Sequence, residues 1–188
     1  MESSSLKQYL EANYANSVFD HVLNAPSPWV YHLHGRQIIH ARLVQNDVYD
    51  VLLSIDGQPA QAFQKTSIKL LYPVAHEETL VRLIKTDAKA QAAPLDPIIS
   101  PKDRHHVKNK TLFPLMQQRV VLLITLLEGE IIKGLVQGFS RYDLTISLKG
   151  GVPVVVLRHA ILDVRDKKGR CYLKTHLKKP IRRQQRRK

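Results

Sequence analysis

The sequence predicts a mainly β protein with short α-helices: two small, bent, five-stranded antiparallel barrels in tandem, each preceded by a helix. Three observations predict it. The chain repeats internally, its apolar residues cluster in short β-branched runs broken by Gly, Asp and Asn, and an amphipathic helical stretch precedes each set of runs. A shift of 93 residues lays Ile38-Ile39 on Ile131-Ile132, Tyr49-Asp50 on Tyr142-Asp143, Ser54 on Ser147 and Gly57 on Gly150. The same shift lays Lys65 on Arg158 and Ile68 on Ile161. One ungapped offset over some thirty residues marks two diverged copies of one unit.

In chain order, residues 5–24 read as the first helix. Strands follow at 29–33, 38–44, 49–55, 60–64 and 68–71, with turns at His34-Gly35 and Asp56-Gly57. A further helix fits 76–85. Residues 85–110 hold three prolines among small and charged residues and read as a linker. The second copy opens with a helix at 112–118 and continues with strands at 120–127, 131–137, 143–148, 152–157 and 161–164. The run at 120–127 is almost wholly apolar, as for a strand buried on both faces. Glu128-Gly129 and Lys149-Gly150-Gly151 supply tight turns, and Glu128 and Glu130 read as the solvated flanks of a hairpin. The expected organisation is a first domain at 1–84, the linker at 85–110, a second domain at 111–164 and a basic tail at 165–188.

Net charge is concentrated in that tail. Its 12 basic residues against one acid give +11 of the net +13, which leaves a body of 17 bases and 15 acids at +2. Such a tail, with Lys179, Arg182, Arg183, Arg186 and Arg187 near its end, binds polyanions by counterion release and without sequence selectivity. At 44% hydrophobic residues, the chain has enough apolar material for a core, which excludes wholesale disorder. No apolar run reaches the ~20 residues that span a bilayer, and the start carries no apolar targeting segment. The expectation is a cytoplasmic protein without membrane insertion. A single cysteine, Cys171, excludes an internal disulfide framework.

Two stretches of the second copy carry a family resemblance. LLITLLEGEIIKGLVQGFSRYDLTISL, with Gly134 and the pair Phe139 and Tyr142, resembles the first motif of the Sm-like, Hfq-related RNA-binding family. VLRHAILDV, with Arg158-His159-Ala160-Ile161, resembles its second motif, and the first copy has Gln64-Lys65-Thr66-Ser67-Ile68 at the equivalent place. The resemblance implies tandem Sm-like barrels that assemble by pairing the edge strands of neighbouring modules, either within the chain or as a homo-oligomeric ring of three chains. It further implies single-stranded, uridine-rich RNA as the ligand, stacked on Tyr49 and Tyr142 and held by Lys65 and Thr66 in one copy and by Arg158 and His159 in the other. An aromatic face beside a cation suits a base and its phosphate. Three departures stand out. Thr125 replaces an adenine-stacking Tyr, Leu157 replaces the Tyr before the basic turn, and Gln117-Gln118-Arg119 leaves Arg119 as the lone cation of a rim patch.

Other chemistry finds no foothold. His32-x-His34 and His105-His106 lack further ligands at zinc-like spacing, so no metal and no cofactor are expected. No nucleophile elbow, phosphate loop or catalytic triad ordering occurs, and no enzyme activity is expected. The functional expectation is RNA binding that assists annealing or post-transcriptional regulation without ATP. The alternatives are an Sm-ring scaffold for protein partners, and non-specific nucleic-acid binding through the tail.

Overall fold

The computed structural model describes residues 5–173. Helices α1 (Leu6–Asn13) and α2 (Val18–Val22) open the chain. The expected single helix breaks because Ser17 starts a new one: its hydroxyl accepts the Phe19 N–H, and the Asp20 carboxylate accepts the Ser17 N–H. Strands β1 (Trp29–Leu33), β2 (Ile38–Asn46), β3 (Asp50–Ile55), β4 (Gln61–Gln64) and β5 (Ile68–Pro73) follow. Next come α3 (Glu77–Leu83), β6 (Lys85–Thr86), α4 (Ala88–Ala92) and α5 (Asn109–Gln117). The last strands of the described residues are β7 (Val121–Leu126), β8 (Glu130–Phe139), β9 (Asp143–Ser147), β10 (Pro153–Leu157) and β11 (Ile161–Asp166). The stretch expected as a bare linker thus contains β6, which pairs with the start of β8, and α4, whose Asp87 cap binds the Lys89 N–H.

All eleven strands belong to one antiparallel sheet, open at both ends, in the order β11-β7-β8-β9-β10-β5-β1-β2-β3-β4 with β6 to the side. The repeat read in the sequence is carried into the pairing. His32 faces Leu70 and, 93 residues on, Thr125 faces Asp163; Leu43 faces Leu53 and Val136 faces Ile146. Even the irregularities coincide, between His32 and Leu33 against β5 and between Ile161 and Asp163 against β7.

The two sets of five strands are joined by β5 and β10, where Leu71 faces Val155 and Leu70 faces Val156. This junction explains which strands are buried on both faces. Every residue of 68–72 is buried, and so are residues 154–157. Leu70, Tyr72, Val154 and Val156 enter the core of the second copy, whereas Leu71, Val155 and Leu157 enter that of the first. The run at 120–127 is different. In β7 only Leu122, Ile124 and Leu126 are buried, so this strand has one core face and one outer face. Helix α1 crosses to the other copy as well: Tyr9 packs against Phe113 and Phe139 and its hydroxyl donates to the Phe139 carbonyl at 3.0 Å.

Lys69 lies inside this junction at 1% exposure, paired with both Glu128 and Glu130. Glu128 is itself buried at 8% and accepts the Gly35 N–H at 2.7 Å. The expected solvated hairpin is therefore a buried ion cluster, formed because β5 brings its ammonium under the β7–β8 turn. Removing such charges from water costs several kcal/mol per ion, and only mutual pairing with extra hydrogen bonds offsets it. Burial raises the Glu128 pKa, but the Lys69 and Gly35 hydrogen bonds outweigh that and hold the carboxyl below its ordinary value.

Lys69→Met leaves the buried Glu128 and the half-buried Glu130 without a cation, and urea unfolding is expected to show a loss of about 3–5 kcal/mol. A loss below ~1 kcal/mol would place the cluster in contact with water. Gly134→Ala tests the close approach of β8 and β9. A Cβ there would lie 2.6 Å from Ile146 Cγ2 and closer still to the Ser147 carbonyl oxygen. Unfolding is expected to show destabilisation of about 2–4 kcal/mol, in the range of overpacked cores.

Candidate nucleic-acid interface

Each copy places an exposed tyrosine beside a basic 3-10 turn, and by the same bond. The Lys65 N–H donates to the Tyr49 carbonyl at 2.8 Å, and the Arg158 N–H donates to the Tyr142 carbonyl at 2.9 Å. Tyr49 is 79% exposed and Tyr142 48% exposed, so both rings are open to a stacking partner. The end of α1 and the start of α2 bond to both copies near these tyrosines. The Arg141 N–H donates to the Tyr14 carbonyl, the Val18 N–H to the Asp143 carboxylate, and Asn46 Nδ2 to Asp20 Oδ1 at 2.7 Å. Tyr14, at 37% exposure, adds a third aromatic to this segment.

The cations differ between the copies. Lys65 Nζ donates to the Asp47 and Val48 carbonyls and sits 5.4 Å from the Phe19 ring centre. Its desolvation lowers the ammonium pKa, against the pull of Asp20, Asp47 and Asp50. It stays on the surface side of the turn, with Thr66 beside it half-buried.

Arg158 and His159 do not occupy the exposed turn expected of them. Arg158 turns inward, with its guanidinium 5.6 Å from the Phe139 ring centre and bonded to Asn109 Oδ1 at 3.1 Å. His159 is buried at 7% exposure, its Nε2 2.7 Å from the Ile68 carbonyl, which fixes that nitrogen as the protonated one. The physical reason is the chain around them: residues 107–109, leading into α5, cover the turn of the second copy, and β5 of the first copy lies against it. Desolvation lowers the Arg158 pKa and takes that of His159 down to about 4.

The exposed cation at Tyr142 is instead Arg141, whose guanidinium lies 5.7 Å from the ring centre. Sequence reasoning missed it because the equivalent residue in the first copy is Val48; its place next to Tyr142 was the available signal. Arg119 is exposed, with a left-handed backbone at φ 51°, just before β7. Lys179, Arg182, Arg183, Arg186 and Arg187 lie outside the described residues.

Among the described residues, no group of three or more His, Cys, Asp or Glu could hold a metal ion, and no helix is long and apolar enough to cross a membrane. In comparisons with known proteins, the chain matches no family model, no curated protein and no solved structure.

Burial of His159 makes stability depend on pH. Its native pKa of about 4 lies below the ordinary 6.5, so between those values the unfolded chain binds a proton that the folded chain refuses. Stability is expected to fall as pH drops from about 6.5 towards 4, by up to roughly 1.4 kcal/mol per pH unit from this residue. His32, also lowered to about 4 by burial, adds to the same slope. Unfolding midpoints measured at pH 7 and pH 5 are expected to differ less for His159→Gln than for the wild-type chain. An identical slope would show that His159 is not the titrating group.

Proposed function

We propose that the chain is an RNA-binding protein of two Sm-like barrel modules, acting in the cytoplasm on single-stranded RNA and assisting annealing without ATP. The observation that carries this reading is the tyrosine beside a basic turn, joined by the same backbone bond in both copies. Matching strand registers in the two copies and the order of five strands within each support the barrel reading. Bases would stack on Tyr49 and Tyr142, with Lys65 and Arg141 beside the phosphates; Arg158 and His159 would hold the turn rather than touch RNA. The basic tail would add salt-sensitive attraction for any RNA.

Assembly belongs to the same proposal. The sheet ends on β4 and β11, the counterparts of the two strands that join the copies internally. Chains meeting by these edges would repeat the β10–β5 pairing and close a ring of three. The counterparts of Leu70 and Leu71 on β11 are Asp163 and Val164, and the Val164 carbonyl already accepts the Tyr172 N–H at 2.9 Å. The return of the chain at 170–173 therefore competes with a neighbouring β4. Sedimentation of the full chain is expected to show Tyr172→Pro, which removes that N–H, moving mass from 21.5 kDa towards the three-chain species. A mass unchanged by the substitution would remove this return as a brake.

RNA binding by the full chain, measured on uridine-rich single strands and on duplex across a salt series, tests the site. Tyr49→Ser with Tyr142→Ser is expected to weaken single-strand binding by roughly tenfold or more, since each stacked base contributes about 1–3 kcal/mol, while duplex binding stays. Equal binding of the two probes, unaffected by the substitutions, would leave the tail as the sole nucleic-acid element.

A further inference from the structure

A second surface stands apart from the tyrosine turns and does not rest on the RNA reading. The outer face of β7 and β8 forms a groove of about 630 Å³. Its floor is Val121, Leu123, Ile131 and Leu135, residues that strand alternation turns away from the core. Cross-strand pairing sets Val121 opposite Leu135 and Leu123 opposite Lys133. Around the floor stand Lys85, Lys133, Lys149 and Lys167, all exposed and none paired with a carboxylate among the described residues, with Arg82 held by Glu78.

The first copy lacks this surface. Its counterparts of Lys133 and Leu135 are His40 and Arg42, engaged by Glu77 at 2.9 Å and by the Pro26 carbonyl. The counterparts of Leu123 and Ile131 are Val30, which is buried, and Ile38, which is exposed, so the first copy keeps a single aliphatic residue where the second copy has a strip. The lining contains no aromatic side chain, so a nucleic-acid base has nothing to stack on. Four unpaired ammonium groups around aliphatic side chains complement carboxylates interspersed with aliphatic residues. The adjoining groove across β11, which shares Leu123, Ile131 and Lys167, carries Asp163 and Asp166. It repels acids and so confines the acidic residues of an occupant to the lysine side.

We propose that the outer face of β7 and β8 docks an acidic amphipathic segment of a partner protein. Its aliphatic side chains rest on Leu123, Ile131 and Leu135, and its carboxylates meet Lys85, Lys133, Lys149 and Lys167. Each exposed ion pair contributes little alone, so recognition needs the charges and the apolar floor together.

The test is fluorescence anisotropy of the full chain at physiological salt with three labelled probes: a peptide alternating Glu and Leu, an oligoglutamate of equal length, and single-stranded oligoadenylate. The Glu/Leu peptide is expected to bind at least about tenfold tighter than oligoglutamate. Lys133→Glu with Lys149→Glu, and separately Leu135→Arg, are each expected to weaken it by about tenfold or more. Both variants alter exposed or half-exposed positions, and unfolding midpoints within a few degrees of the wild-type value are the required control that the fold is kept. Oligoglutamate binding as tightly as the peptide would assign the attraction to the tail and overturn the proposal. So would peptide binding that both variants leave intact, or variants that lose oligoadenylate instead of peptide. Tyr49→Ser with Tyr142→Ser leaves peptide binding unchanged on this proposal, which separates its failure from that of the RNA site.

Discussion

The pairing of β5 with β10, locked by Lys69 between Glu128 and Glu130, is the constraint on which the rest of the molecule depends. Hydrophobic burial alone would tolerate small shifts between two five-stranded units, because aliphatic contacts carry little direction. A buried ammonium tolerates none: it must meet its carboxylates or carry the full cost of desolvation. Glu128 extends the lock by accepting the Gly35 N–H, which ties the β7–β8 turn to its counterpart between β1 and β2. The cluster adds a directional constraint to the backbone pairing that holds the junction in register.

The two copies share their scaffold and diverge where the molecule needs asymmetry. Counterparts of Lys69, Glu128 and Glu130 are Leu162, Gly35 and Gln37, so the ion cluster can form once per chain and on one side only. The same holds for the basic turns. Lys65 stays on the surface, whereas Arg158 is drawn inward by Asn109 and by the Phe139 ring. It holds the second turn in place, and the surface charge beside the tyrosine passes to Arg141.

Much of the scaffold was legible in the sequence because it is encoded locally. Strand runs such as 29–33 and the turns at Gly35, Gly57 and Gly150 follow from residue type and alternation, and the offset of 93 predicted pairings that the sheet then repeats. What was not legible depends on contacts between distant segments. Glu128 in a turn read as a solvated residue and nothing singled out Lys69 in its strand, since nothing local reports that the two meet at the junction of the copies. Arg158 and His159 read as exposed for the same reason: Asn109 and Ile68, their partners, lie 49 and 91 residues away. Strand 120–127 erred in the opposite direction, its apolar outer residues belonging to a surface groove.

That error has a physical consequence for the reading of apolar runs. A continuous aliphatic strand can be buried on both faces, as β5 is, or can carry one face to a core and leave the other half-exposed, as β7 does. Composition does not separate the two, because both demand the same residues. The neighbours do. β5 has a paired strand on each side, and its only charge, Lys69, is neutralised inside the protein. β7 is also paired on both sides, yet the charges around its outer residues, Lys85, Lys133 and Lys149, have no partner among the described residues. Neutralised charge marks an interior that the chain completes by itself; unmatched charge of one sign around aliphatic side chains marks the surface on which the docking proposal rests.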